Sequence, residues 1–293
     1  PLNISFLLIL LLPLSLVSGP FIPDLFISII SFLVIFLFFK SEYKKYFYNK
    51  FTFLFIIFYL YLLILSFTSK NILLSLSSSL FYFRFFLFAI SIWIVFDNFK
   101  IKYFFYSILI PLLILFVDGT YQYLYGYNLI GFHLSQPDRV SSFFGEELKM
   151  GSFVVRFLPI MIAIFLTIYN NNKNLIYINL LILISFFIVI ISGERTALAM
   201  SLLIITYMVY FSTLYFRSNF YLIIPLIIPS IILFILMIYL DYNIFFRFIL
   251  KTLNQFNFLS DNFDLMNLNI LSEHHQDIYK AAFSIFLDNQ IFG

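Results

Sequence analysis

Cysteine is absent from the 293 residues, which excludes disulfides, thiolate nucleophiles and thiolate metal sites. Charge is scarce as well: 11% of the residues are Asp, Glu, Lys or Arg, against about 25% in an average soluble domain. A water-soluble globule is excluded, because a chain that is 63% hydrophobic has too little polar surface to meet water. Glycine and proline are few, at 8 and 9, and no short repeat occurs, so the chain is neither fibrous nor low-complexity. A net charge of +3 is too small to point to nucleic acid. There is no Gly-rich phosphate loop, no HExxH and no GxSxG element. Glu146 and Glu147 are adjacent, so on a helix they would point about 100° apart and make a poor acid–base pair.

What is present is apolar. Phenylalanine alone accounts for 44 residues, and the mean hydropathy is +1.03. A bilayer core needs about 20 apolar residues per helix. That length criterion predicts spans at 2–17, 21–39, 51–67, 80–96, 103–117, 152–169, 175–191, 196–214 and 220–240. The expectation is an all-α integral membrane protein: a polytopic bundle of about nine helices in one domain, 1–293. Pro13, Pro111, Pro225 and Pro229 predict kinks. Leu2–Val17 has no basic residues before it, so it does not read as a cleavable signal. The chain starts at Pro1 and stops at Gly293 within a patterned segment, and it is expected to be a fragment of a longer protein.

Lysine and arginine in short loops set orientation. With a cytoplasmic N-terminus, the inner stretches 40–50, 97–102, 170–174 and 215–219 carry 8 Lys/Arg in 27 residues. The outer stretches 18–24, 68–79, 118–151 and 192–195 carry 4 in 57 residues. Of the 14 acidic residues, 12 fall on the outer side, and only Glu42 and Asp97 are inner. Polar chemistry is therefore expected on the outer face, in the loop 118–151 and in an outer region that begins at 241. Transporters more often hold ionisable groups near the membrane midplane.

Asp118–Gly151 contains five of the eight glycines and several aromatics, which predicts an ordered, re-entrant outer loop with Tyr and Phe at headgroup level. Arg139 follows Pro137-Asp138, and Arg156 lies about one turn inside the next helix. They are candidate ligand residues. The ordinary alternative pairs Arg139 with Asp138 or Glu146 and lets Arg156 snorkel to the interface. Arg195, in Ser192-Gly193-Glu194-Arg195-Thr196, stands at a helix start, where free N–H groups and a guanidinium together favour an anion. Its alternatives are a contact with Glu194 or a plain topology charge. Arg84, among Phe81, Tyr82, Phe83, Phe85 and Phe86, needs a partner; a cation–π contact is the alternative to a ligand. Near the C-terminal end, Ile278, Ala281, Ala282, Ile285 and Phe286 recur at helical spacing, predicting an amphipathic helix on the outer surface. His274 and His275 lack a third metal ligand nearby and read as a solvated pair.

Three elements together resemble the O-antigen ligase/O-antigen polymerase superfamily. These are Arg139-Val140-Ser141-Ser142-Phe143-Phe144-Gly145 running on to Arg156-Phe157-Leu158-Pro159, the turn Ser192-Gly193-Glu194-Arg195-Thr196-Ala197, and Ile278-Tyr279-Lys280-Ala281-Ala282 ending in Asn289-Gln290-Ile291-Phe292-Gly293. The resemblance implies a GT-C-type glycosyltransferase of the bacterial inner membrane. Such enzymes pass a glycan from a polyprenyl-pyrophosphate carrier to lipid A-core or to another lipid-linked glycan, on the periplasmic side, without metal or cofactor. It implies pyrophosphate binding by Arg195, with Arg139 and Arg156 at the same mouth; Arg84, from its need for a partner among aromatics, is a further candidate pyrophosphate-binding residue. His275 stands where many relatives carry an arginine, and carries charge only below about pH 6.5. The family's general-base His follows the Phe-Gly element and is expected beyond Gly293, so this segment alone is expected to be inactive. Two other readings are open: a transporter or flippase of lipid-linked saccharides, and a structural or sensor membrane protein.

Overall fold

The computed structural model describes residues 1–137, 139–168, 175–215, 224–255 and 273–288. Among them the chain is helical apart from turns and two isolated β-bridges. Lipid offers the backbone no hydrogen-bond partners, so an apolar chain of this kind closes its N–H and C=O groups on themselves as helices. The protein is an all-α, multi-pass membrane protein.

Two compact units are distinct. The first is Pro1–Leu113 with Ala163–Tyr169, and the second is Ile114–Ile162 with Asn170–Gly293. In chain order the helices are α1 (Leu2–Ser15), α2 (Phe21–Phe38), α3 (Lys44–Phe47), α4 (Lys50–Thr68), α5 (Ile72–Ser79), α6 (Phe83–Asn98) and α7 (Lys102–Tyr125). They continue as α8 (Met150–Ile168), α9 (Leu175–Ile191), α10 (Arg195–Tyr215), α11 (Ile224–Leu240), α12 (Tyr242–Phe245), a π-helical turn Phe246–Leu250, α13 (Lys251–Gln255) and α14 (Glu273–Asp288).

In the first unit α2 packs against α1 and α6. Ile30, Val34, Leu37, Ile94 and Val95 are buried on these helices. Helices α2 and α6 run in the same sense: Asp24 meets Arg84 at their starts, and Tyr46, just past α2, donates to Asp97 at the end of α6 at 2.7 Å. Helix α4 is apolar around its circumference and only 6% buried, as a lipid-facing helix should be. Burial, and secondly the bond to Asp97, push the Tyr46 hydroxyl above its ordinary value near 10. The unfolded chain therefore loses this proton first as pH rises. Tyr46 stabilises the fold fully below about pH 10 and loses that contribution above it. Thermal unfolding of Tyr46→Phe should be less sensitive than wild type to a rise from pH 9 to 11.

The number of spans differs from the expected nine. Among the described residues five helices are long and apolar enough to cross a membrane: Phe21–Phe38, Lys50–Thr68, Ile72–Asn98, Lys102–Tyr125 and Met150–Ile168. A sixth arises if Ile228–Leu240 and Tyr242–Asn254, bent by 110°, form one broken span. Short helices account for part of the difference, while α10, 21 residues long, is described with its side chains only as far as Tyr207. Helix α1 stops at 14 residues, in a turn left through Gly19 at φ +103°. Helix α9 has 17 residues, about 25 Å of helix against a hydrocarbon core of about 30 Å. Two limits also move. The expected short span 103–117 is 24 residues long, because α7 runs on through Asp118 to Tyr125. Residues 118–125 are thus helix and not loop. The sharp break among the described helices falls at Asp241, where the polar outer region was expected to begin.

Candidate functional site

The loop after α7 is built on that helix's own polar residues. Asp118 and Gln122, one turn apart, are fully buried. Asp118 accepts from the Leu129 N–H at 2.9 Å and from the Ser142 hydroxyl. The Gln122 side-chain oxygen accepts from the N–H groups of Ser141 and Ser142, at 3.1 and 2.6 Å. Asn128, equally buried, accepts from Ile130 and Phe132 and donates to the Ser142 carbonyl at 3.1 Å. Ser142 stands at φ +53°, a conformation costly for a non-glycine residue. Bonds to its N–H, hydroxyl and carbonyl hold it there. The Val140 N–H donates to the carbonyl of Ile191 at 3.1 Å, which fastens the loop to the end of α9.

Gly193, at φ +64°, makes the tight turn between α9 and α10. Glu194 beside it is buried, and its carboxylate turns toward α8: it accepts from the N–H groups of Gly151 and Ser152, at 2.7 and 3.1 Å, and from the Ser152 hydroxyl. A helix N-terminus leaves N–H groups without partners and carries partial positive charge, so a carboxylate supplied from another segment satisfies both. The approach is close. A Cβ on Gly151 would collide with the Ser192 hydroxyl and lie 3.1 Å from the Ala197 Cβ. Glu194 is therefore engaged by α8 and makes no ion pair with Arg195 among the described residues.

Cationic side chains gather on the same turn. The Arg139 Nε donates to the Ser192 carbonyl at 3.4 Å and its Nη2 to the Leu148 carbonyl at 3.0 Å. The Arg247 Nε donates to the Gly193 carbonyl at 3.0 Å. Arg195, part-buried at the first residue of α10, donates to the Lys251 carbonyl at 3.4 Å, and the charge of Arg247 bears on it. No carboxylate pairs with Arg195 among the described residues. Arg139 also lines a cavity of about 300 Å³ with Tyr123, Pro137, Val140, Asp241 and Asn243. Tyr123 donates to Asp241 at 2.6 Å, and Asp241 caps α12 through the Asn243 N–H. This ties α7 to the 110° break.

Arg139 and Arg195 are thus brought to one turn. Neither of these two carbonyl contacts of Arg139 is to Glu146, and Asp138 lies outside the described residues. Arg156 is exposed on α8 and has no hydrogen bond or ion pair among the described residues. Arg84 belongs to the first unit, where both its terminal nitrogens bind Asp24, at 2.7 and 2.8 Å. The partner it was expected to need is an acid 60 residues earlier. His275 falls in α14, but its side chain lies outside the described residues, as does the Phe-Gly element at 289–293. Helix α14 forms as the spacing predicts, with Ile278, Phe283, Ile285 and Phe286 exposed.

Arg247 and Lys251 were not among the expected site residues. Their spacing of four puts them on one helical face, which is the signal that could have found them. The described residues hold no group of three or more His, Asp or Glu side chains placed to bind a metal. Compared with known proteins, the chain matches no family model, no curated protein and no solved structure.

Proposed function

We propose that the protein transfers a glycan from a polyprenyl-pyrophosphate carrier to lipid A-core or to another lipid-linked glycan, in the manner of O-antigen ligases and polymerases. One observation carries the reading. Arg195 stands without a carboxylate partner at the start of α10, on a turn whose carbonyls also hold Arg139 and Arg247. Cations held together against their mutual repulsion suit an anion of more than one charge, and guanidinium binds phosphate oxygens in pairs.

The chemistry asks little more of this site. The acceptor hydroxyl loses its proton to a base and attacks the anomeric carbon. The bond from that carbon to the pyrophosphate oxygen breaks, and its electron pair leaves with the pyrophosphate. Fixed donors that neutralise the departing charge lower the barrier. Attack from the face opposite the leaving group inverts the anomeric configuration. The loop charges favour a cytoplasmic N-terminus, and the resemblance to O-antigen ligases and polymerases implies the bacterial inner membrane with the site on the periplasmic side.

A transporter or flippase of the same lipid-linked saccharides is the second reading. The break at Asp241 favours it, since transporters use discontinuous helices. One experiment separates the two. Intact protein in liposomes is given a polyprenyl-pyrophosphate-linked, fluorescently labelled oligosaccharide and an unlabelled acceptor lipid. The transferase reading expects label on the acceptor, inverted at the new linkage, and inhibition by inorganic pyrophosphate. Label that crosses the bilayer but stays on its carrier establishes transport instead, and label that does neither rejects both.

A further inference from the structure

In the first unit, α2 and α6 leave a groove of about 430 Å³ beside the Asp24–Arg84 pair, lined by Ser28, Ser31, Phe32, Ile35, Phe81 and Phe83. The pair is part of both helix starts. Arg84 Nη2 meets Asp24 Oδ1 at 2.7 Å, and Nη1 meets Asp24 Oδ2 at 2.8 Å and the Ser28 hydroxyl at 3.2 Å. Ser28 and Ser31 donate to the backbone carbonyls of Asp24 and Arg84, so both serines already have acceptors. The pair is not sealed: the Arg84 side chain is 26% exposed and that of Asp24 is 50% exposed.

An Arg–Asp pair has no net charge, so a simple anion gains little from it. What it presents is a fixed dipole, an exposed guanidinium edge next to an exposed carboxylate edge. The complement is a molecule with a phosphate and a hydrogen-bonding cation a few ångströms apart. The position narrows the class further. Asp24 lies in the first turn of the membrane helix Phe21–Phe38 with Arg84 held beside it, and the groove leads from the pair along Phe32, Ile35 and Phe83, which are exposed and apolar.

We propose that this groove is a binding site for phosphatidylethanolamine. The ammonium donates to Asp24, the phosphate accepts from Arg84, and one acyl chain lies along Phe32 and Ile35. Phosphatidylcholine has the same charges, but its methylated nitrogen has no N–H to donate. Phosphatidylglycerol leaves Asp24 unmatched and is repelled by it. The site is independent of the glycan-transfer reading.

Native mass spectrometry of the intact protein, released from detergent with equal amounts of dioleoyl phosphatidylethanolamine, phosphatidylcholine and phosphatidylglycerol, tests this. Retained phosphatidylethanolamine should exceed each of the other lipids by about fivefold, the effect of one half-exposed ion pair. Asp24→Asn leaves Arg84 its charge without a counter-ion, so phosphatidylglycerol should rise to match or exceed phosphatidylethanolamine. Ile35→Trp fills the groove without touching the pair and should displace the lipid from a protein that still unfolds at the wild-type temperature. This arm decides the matter if Asp24→Asn does not insert. Equal retention of the three lipids overturns the proposal. An unchanged profile in Asp24→Asn, or full phosphatidylethanolamine on Ile35→Trp, does so as well.

Discussion

Replacing Arg195 by alanine should lower glycan transfer by about 10²–10³-fold, the usual cost of removing one fixed donor from a developing charge. Stability should not fall with it. In the resting protein the guanidinium makes one long bond, 3.4 Å to the Lys251 carbonyl, and sits under the charge of Arg247, so its removal relieves repulsion. The thermal midpoint in detergent should therefore hold or rise while transfer collapses. A purely structural arginine would show the reverse. Arg195→Lys should recover only part of the activity, because an ammonium supplies charge without the two-pronged geometry. Arg247→Ala should cost less in an Arg195→Ala background than alone, since both would act on one leaving group. Wild-type transfer by Arg195→Ala would remove the turn from the mechanism.

Glu194→Ala should have the largest effect on stability. It strands the N–H of Gly151, which is buried, and the N–H and hydroxyl of Ser152, which is half-buried. Each buried donor left unsatisfied costs about 1–3 kcal/mol, and α8 also loses the negative charge at its N-terminus. The unfolding temperature should drop sharply, with transfer lost because the turn carrying Arg195 is no longer fixed. Glu194→Gln keeps one acceptor oxygen and should fall between the two. Gly151→Ala tests the same junction from the other side. Its methyl would meet the Ser192 hydroxyl, Ala197 and Glu194, and overpacking of that kind costs about 1–3 kcal/mol. If all three variants melt with wild type, Glu194 does not hold α8 to the turn.

Much of this architecture is local and could be read along the chain. The helices follow from apolar runs that must bond internally in lipid, and α14 follows from spacing alone. Span number is less local. Whether α7 stops at Val117 or continues to Tyr125 depends on where Asp118 and Gln122 find partners, and those are 10 to 24 residues further on. In sequence the two residues read as the polar start of a loop. In space they are its buried foundation. The same limit applied to the break at Asp241, since polar residues there suggested surface and gave no hint of a second helical limb.

The candidate site divides along the same line. The sequence by itself determined that the protein lives in a membrane, that it folds as helices, and that Arg139 and Arg195 stand at loop and helix ends, because hydropathy and local spacing act within a few residues. Only the tertiary structure decided which charges are spent and which are gathered. Arg84 is neutralised by Asp24, and Glu194 by the start of α8, while Arg247 joins Arg195 from 52 residues away. Desolvation forces each buried charge to find a partner, but the partner is fixed by how the helices pack.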